Sequence, residues 1–254
     1  MSEWLVLALA MVASVVLVVI IALVRQRTAG DTEDPSETPD VIEYMTMMIG
    51  VVYAIVLGLA IAGVWEARSG AQDHVQAEAQ ALHEISERVR TYPPAVRDQV
   101  RADVDTYVSY VVKTEWKTMQ DHARVTARGG ALLERVRHDV TDYEPKTDFE
   151  AQQYQPLLDQ MAAADAARQA RADSTGATMP GVVWFGLIIG AVVTVAMVFV
   201  LQIRRTAREL ILAGLFSALI AFLLFLIWDF DAPYSRGISA SAEPFLALFP
   251  HLKG

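Results

Sequence analysis

The segment GVVYAIVLGLAIAGVWEARSGAQDHVQAEAQALHEISERVR, residues 50–90, decides the fold. Its first half is apolar enough to sit in lipid. Its second half alternates acids, glutamines and alanines with an apolar seam at Val75, Leu82, Ile85 and Val89, at heptad-like spacing. Both halves read as helix, so the segment is expected to leave the bilayer as one long rod and end where TYPP at 91–94 forbids further helix. The apolar half carries Gly50, Ala54, Gly58 and Ala62 at every fourth position. A helix presents such a row as a smooth stripe, suited to a packing seam between helices or to the wall of a pore. Because residues four apart drift by about 40° around a helix, one stripe can pack at one end and face an axis at the other.

Composition bounds the rest. Of 254 residues, 54% are hydrophobic, which exceeds an ordinary soluble domain, and the excess sits in blocks. The net charge of −9 offers no overall footprint for nucleic acid. The absence of cysteine removes disulfides, thiolate nucleophiles and cysteine metal sites.

The blocks are four uncharged runs: Trp4–Val24, Met45–Val64, Gly181–Ile203 and Leu210–Trp228, of 21, 20, 23 and 19 residues. Each matches the roughly 20 residues that cross hydrocarbon, and four transmembrane helices are expected. The first lacks a basic n-region and is followed by Arg25 and Arg27, as a retained anchor would be. The two short loops hold Arg25, Arg27, Arg204, Arg205 and Arg208. This density puts both loops inside, and both termini and the long polar segment outside. In that count the polar segment has Arg68, Arg168 and Arg171 near its membrane ends.

The expected organisation is a first membrane helix at 1–27, an acidic linker at 28–42 and a second membrane helix at 43–66. A polar helical bundle follows at 67–179, then a third membrane helix at 180–203, a basic loop at 204–209, a fourth helix at 210–228 and a tail at 229–254. The linker core TAGDTEDPSETPD has five acids, two prolines and no base, and nothing to bury. Residues 65–180 hold 14 Lys/Arg and 19 Asp/Glu. Their apolar positions, Val96 through Val111 and Leu157 through Ala167, recur at helical spacing, and no strand pattern is found. Gly129-Gly130 reads as a turn. The fold class is all-α.

Chemistry is sparse. The five histidines form no paired ligand set, and His74–Glu78 and His83–Glu87, one helical turn apart, read as solvated pairs. No phosphate loop, dinucleotide fingerprint or nucleophile elbow occurs. Enzyme is therefore the least supported class, and no metal or other cofactor is expected. No ionisable residue lies inside the four runs, which argues against proton-coupled transport and leaves room for a pore lined by small or apolar side chains. Charges at run ends could ring such a pore: Glu43, Glu66 and Arg68, Glu209, Asp229 and Asp231. Singly, each reads first as an ordinary interfacial charge, and Trp65, Trp184 and Trp228 as belt residues. Small residues recur in the third run (Gly186, Gly190, Thr194) and the fourth (Gly214, Ser217, Ala218, Ala221), whereas the first is Val, Leu and Ile almost throughout. The first thus suits a lipid-facing periphery, and the others a tight bundle within or between subunits.

Three stretches together resemble the bestrophin-like family of bacterial membrane proteins. They are VLGLAIAGVWEARSGAQDHVQAEAQALHEISERVR at 56–90, YVVKTEW at 110–116 and the close IWDFDAPYSRGISASAEPF at 227–245. The close carries Asp231, Pro233, Tyr234, Ile238, Ser239, Ser241, Glu243 and Pro244 at the family's positions, with Gly237 one place later than its pattern. The resemblance implies kinship to bestrophins, pentameric anion channels with four membrane helices per subunit and a pore along the second. It carries over architecture and a channel expectation, not a residue-by-residue constriction or calcium clasp. Bestrophins keep their helical domain in the cytosol, opposite to the side the charge count gives here. The expected function is an oligomeric channel-like protein of a bacterial plasma membrane, conducting small ions near the second helix. Its partners are then lipid and further copies of itself, with no nucleic acid. The rival is a non-conducting sensor or assembly module whose helical domain binds a protein.

Overall fold

A computed structural model describes residues 40–200, 207–236 and 240–252, together with Val16 and Ile20. The remainder of the first apolar run, most of the acidic linker, the end of the third run and the first half of the basic loop lie outside the described residues.

The described residues form helices joined by turns and contain no strand. Their order is α1 (Asp40–Arg88), a 3-10 turn (Val89–Thr91), α2 (Pro94–Tyr110), a π turn (Val111–Glu115), α3 (Trp116–His122), α4 (Ala127–Thr141), α5 (Asp148–Asp173), α6 (Gly181–Val200), α7 (Ala207–Phe230) and α8 (Glu243–Leu248), with a final 3-10 turn (Pro250–Leu252). The rod expected from 50–90 is α1, 49 residues long. It ends as the sequence requires: Tyr92 turns extended, and Pro94 opens α2, where a missing N–H costs nothing. Among the described residues, two helical stretches are long and apolar enough to cross a membrane, Glu43–Thr91 and Ile211–Phe230; Gly181–Met197 is apolar but shorter.

The chain divides into two compact units. One comprises Met1–Trp65 and Met179–Asp231, the other Glu66–Thr178 and Ala232–Gly254.

In the first unit the core is built from Tyr53, Leu57 and Val64 of α1, Leu187 and Ala191 of α6, and Ile220, Ile227 and Phe230 of α7. Tyr53 Oη donates to the Leu187 carbonyl at 2.9 Å, and its ring lies against Gly190, where a Cβ would stand 2.5 Å from Cε2. Only glycine allows that approach. Two small positions of α7, Ser217 and Ala218, are buried as well. In lipid, such close backbone approach replaces the hydrophobic drive available in water.

In the second unit the seam of α1 (Val75, Leu82, Ile85, Val89) is fully buried in a core with Val104, Tyr107 and Val111, Leu133 and Val136, and Leu157 and Ala164. Each such aliphatic contributes about 1.5–3 kcal/mol. The helix starts are capped locally. Thr126 accepts from Gly129 N at 3.0 Å to open α4, and Thr147 from Glu150 N at 3.2 Å to open α5. Gly129 and Gly130, expected to form a turn, lie in the first turn of α4. The turn itself falls earlier, at Ala123, whose left-handed backbone (φ 50°) ends α3.

Candidate functional site

The second unit encloses its most concentrated polar chemistry inside its core. Glu78 of α1, Tyr107 of α2, Glu115 of the π turn and Arg171 of α5 are fully buried, and Arg168 is 8% exposed. Arg171 grips Glu78 side-on, Nε to Oε2 at 2.7 Å and Nη2 to Oε1 at 3.0 Å, and reaches Glu115 Oε1 at 3.1 Å. Its remaining nitrogen, Nη1, contacts Met119 Sδ at 2.8 Å. Arg168 grips Glu115 end-on, Nη1 to Oε1 at 2.7 Å and Nη2 to Oε2 at 2.9 Å, and adds bonds to Tyr107 Oη (2.8 Å) and the Thr126 carbonyl (3.2 Å). Tyr107 Oη donates to Glu78 Oε1. Glu115 Oε2 also accepts Thr126 N and Oγ1, at 2.9 and 2.7 Å.

Two glutamates and two arginines balance. Such a cluster is tolerable in a low dielectric only when its lone pairs and protons are matched this fully. Burial pushes Glu115 toward its neutral form, but the Arg168 hydrogen bonds and the charges of Arg168 and Arg171 outweigh it and hold its carboxyl at about 2. It is therefore ionised at every pH above that range. Burial and the adjacent Glu78 charge push the Tyr107 phenol well above its ordinary value, so it stays a donor.

Local sequence explains the convergence. The π turn adds a residue to the α2–α3 run, which lets Tyr107, Val111, Glu115 and Met119 all point inward. Gly129 leaves room for the network. A Cβ there would collide with Glu115 Oε2 and stand 2.7 Å from Arg168 Nη2. With every strong donor and acceptor engaged, the cluster is a charge-balanced framework rather than a reactive centre. Among the described residues no group of three or more His, Asp or Glu is placed to hold a metal ion.

His74–Glu78 is not a solvated pair: Glu78 turns into the core. The signal was in the sequence, because Glu78 occupies the seam between Val75 and Leu82, where a heptad calls for an apolar residue. Arg168 and Arg171 extend the seam of Leu157, Met161 and Ala164 in the same way. The charge count takes both arginines as membrane-flanking bases; they are internal ion-pair partners instead.

The other residues singled out in the sequence are distributed as follows. Gly50 is half-buried and Ala54, Gly58 and Ala62 are exposed; a Cβ at Gly50 or Gly58 would meet nothing within 4 Å. The stripe thus lies off the face that packs within the unit. Glu43 and Glu66 are exposed. Asp229 and Asp231 are buried in the first unit, and Asp231 accepts Met179 N at 2.7 Å and Trp184 Nε1 at 3.2 Å, tying the start of α6 to the end of α7. In the second unit Tyr234 is fully buried, donates to the Ala71 carbonyl at 3.0 Å and stacks edge-on with Trp116 at 5.8 Å. Pro233 and Pro244 are buried and Glu243 is exposed. Ala240 N returns to the Pro233 carbonyl at 2.7 Å, closing the loop that carries Tyr234.

Of the family's closing motif, Gly237, Ile238 and Ser239 lie outside the described residues. A bestrophin-like domain matches the chain over residues 11–245. This chain belongs to the bestrophin-like family. The fold agrees. A bacterial bestrophin homolog from Klebsiella pneumoniae, solved as a point mutant, superposes with a TM-score of 0.70 at 11% identity, over 96% of this chain and 95% of that one. A second solved structure, described as that of a membrane protein, superposes at 0.64 and 12% identity, over 98% and 99%. No curated protein matches the chain. In this bestrophin-like chain the YVVKTEW stretch is the π turn with Glu115 and Trp116, and the Asp-x-Pro-aromatic close delivers Tyr234 to the second unit's core. Membership places the chain among membrane-embedded proteins.

Proposed function

We propose that the chain is the subunit of an oligomeric, channel-like protein of a bacterial plasma membrane, passing small ions along α1. The observation that carries this is the division of labour on that helix. Tyr53, Leu57 and Val64 are buried in the unit's core, while Ala54, Gly58 and Ala62 face outward, exposed. A smooth, uncharged, uncovered stripe is what a wall around an axis requires. All four apolar runs cross the bilayer in this reading, with Glu43 and Glu66 at the mouths of the path. The kinship with bestrophins adds to it.

Purified protein in planar bilayers is expected to carry current. Gly58→Leu is expected to lower unitary conductance while the particle keeps its size in detergent. Silence across salts and voltages from intact oligomers removes the proposal. The same uncovered stripe also suits a seam between copies of a non-conducting assembly module. In that case Gly58→Leu breaks the oligomer, and no variant conducts.

In this reading the short basic loops lie inside, and both termini and the helical unit outside the cytoplasm. Removing Arg168 and Arg171 from the count leaves Arg68 alone near the membrane ends of residues 65–180, which supports this assignment. Single cysteines replacing Gly30 and Gln120 test it without background, since the chain has none. In whole cells an impermeant maleimide is expected to label position 120 and spare position 30. The opposite pattern reverses the orientation.

A further inference from the structure

The contact between α2 and α4 contains two acids that nothing above uses. Asp103 of α2 is 7% exposed. Gln99 Nε2 donates to its Oδ2 at 3.1 Å, and Arg135 of α4, itself largely exposed, stands 3.9 Å from its Oδ1. One turn beyond Arg135 on the same face of α4 is Asp139, which faces Asp103 within hydrogen-bonding reach. Asp139 Oδ2 is sealed from solvent and meets no donor in the protein. Two carboxylates in contact, one with a sealed and unmatched oxygen, cannot both hold their charge comfortably. The charged groups that reach Asp103 are Asp139 and Arg135; its own helix supplies only the amide of Gln99. His138, adjacent on α4, is turned to solvent and paired with Asp142 at 2.9 Å.

We infer that Asp103 and Asp139 share one proton, forming a carboxyl–carboxylate clasp between α2 and α4 that loosens as pH rises. The shared proton supplies the donor that Asp139 Oδ2 lacks and removes one of two adjacent charges. Burial, and then the hydrogen bond with Asp139, push the Asp103 carboxyl above its ordinary value. The sign follows. The folded unit keeps a proton that the unfolded chain releases near pH 4, so this contribution is complete in acid and is lost as pH rises above that value. The clasp is a pH-sensitive element of the helical unit, separate from the ionic cluster around Arg171 and from conduction.

The test is thermal unfolding of the full chain in detergent at about pH 4 and about pH 7.5. Asp139→Asn replaces the shared proton with a permanent amide donor. It is expected to melt with wild type in acid and several degrees above it at the higher pH, and Asp103→Asn is expected to behave alike. Asp142→Asn, which alters the exposed pair on the same helix, is expected to show no such pH-dependent gain. A difference between Asp139→Asn and wild type that is the same at both pH values overturns the inference, as does a variant that melts below wild type at the higher pH. A rise in wild-type melting on adding Mg2+ or Ca2+ at that pH, absent in Asp139→Asn, also overturns it, since the pair would then hold a cation rather than a proton.

Discussion

Arg171→Met will lower the stability of the helical unit by about 3–5 kcal/mol, the usual cost of removing one partner from a buried ion pair. Wild type balances two carboxylates with two guanidiniums. The variant leaves two buried carboxylates with one guanidinium, Arg168, which bonds Glu115, and takes both guanidinium hydrogen bonds from Glu78. Methionine fills much of the same volume beside Met119, so lost packing adds little. For a unit of this size the melting temperature should fall by about 10 °C, read by circular dichroism in detergent. The deciding comparison is the double variant Glu78→Gln/Arg171→Met. It restores neutrality, so it should be more stable than Arg171→Met alone although it carries one more change. An Arg171→Met protein that melts with wild type, or a double variant less stable than the single, would show that the cluster is not coupled as described.

Gly129→Ala will cost about as much, from a single added methyl group. The new Cβ has nowhere to go: Glu115 Oε2 occupies the position, and Arg168 Nη2 and Glu115 Cδ stand 2.7 and 2.9 Å away. These atoms are not free chain ends. Two arginines and Thr126 hold Glu115, so displacing its carboxylate disturbs the whole network, including the Thr126 cap on α4. A loss of about 3 kcal/mol, in the range for overpacking joined to a broken buried polar network, is expected. The adjacent Gly130 is the internal control. A Cβ there meets nothing within 4 Å and the residue is helical, so Gly130→Ala should stabilise by about 0.5–1 kcal/mol. Paired unfolding measurements should therefore move in opposite directions. Equal effects from the two substitutions would remove the close approach at Gly129 as the reason for that glycine.

These neighbouring glycines show why reading the pair as a turn failed. Glycine marks either a special backbone angle or a close approach, and a sequence does not say which. Here it is a close approach, set by the carboxylate of Glu115 and the guanidinium of Arg168, each on a different element. The buried cluster was partly legible: Glu78, Arg168 and Arg171 each interrupt an apolar seam at a core-facing position. Which acid meets which base was not legible, because it depends on how α1, α5 and the π turn pack, and that π turn has no sequence signature. The small-residue rows show the same limit. Those of α1, α6 and α7 look alike in sequence, yet Gly190, Ser217 and Ala218 are packed while Gly186 and most of the α1 stripe are uncovered.

The sequence alone determined the helical class, the rod from lipid-compatible residues into a polar unit, its stop at Tyr92–Pro94 and the family. These follow from hydrophobic period, run length, proline's missing N–H and the motif stretches, all properties of neighbouring residues. The tertiary structure decided which charges turn inward, why Gly129 must be glycine, and that Asp231 and Tyr234 of the closing motif act as packing and hydrogen-bonding anchors. Those outcomes rest on groups brought together from distant parts of the chain, where burial removes water and leaves each charge only the partners the packing supplies.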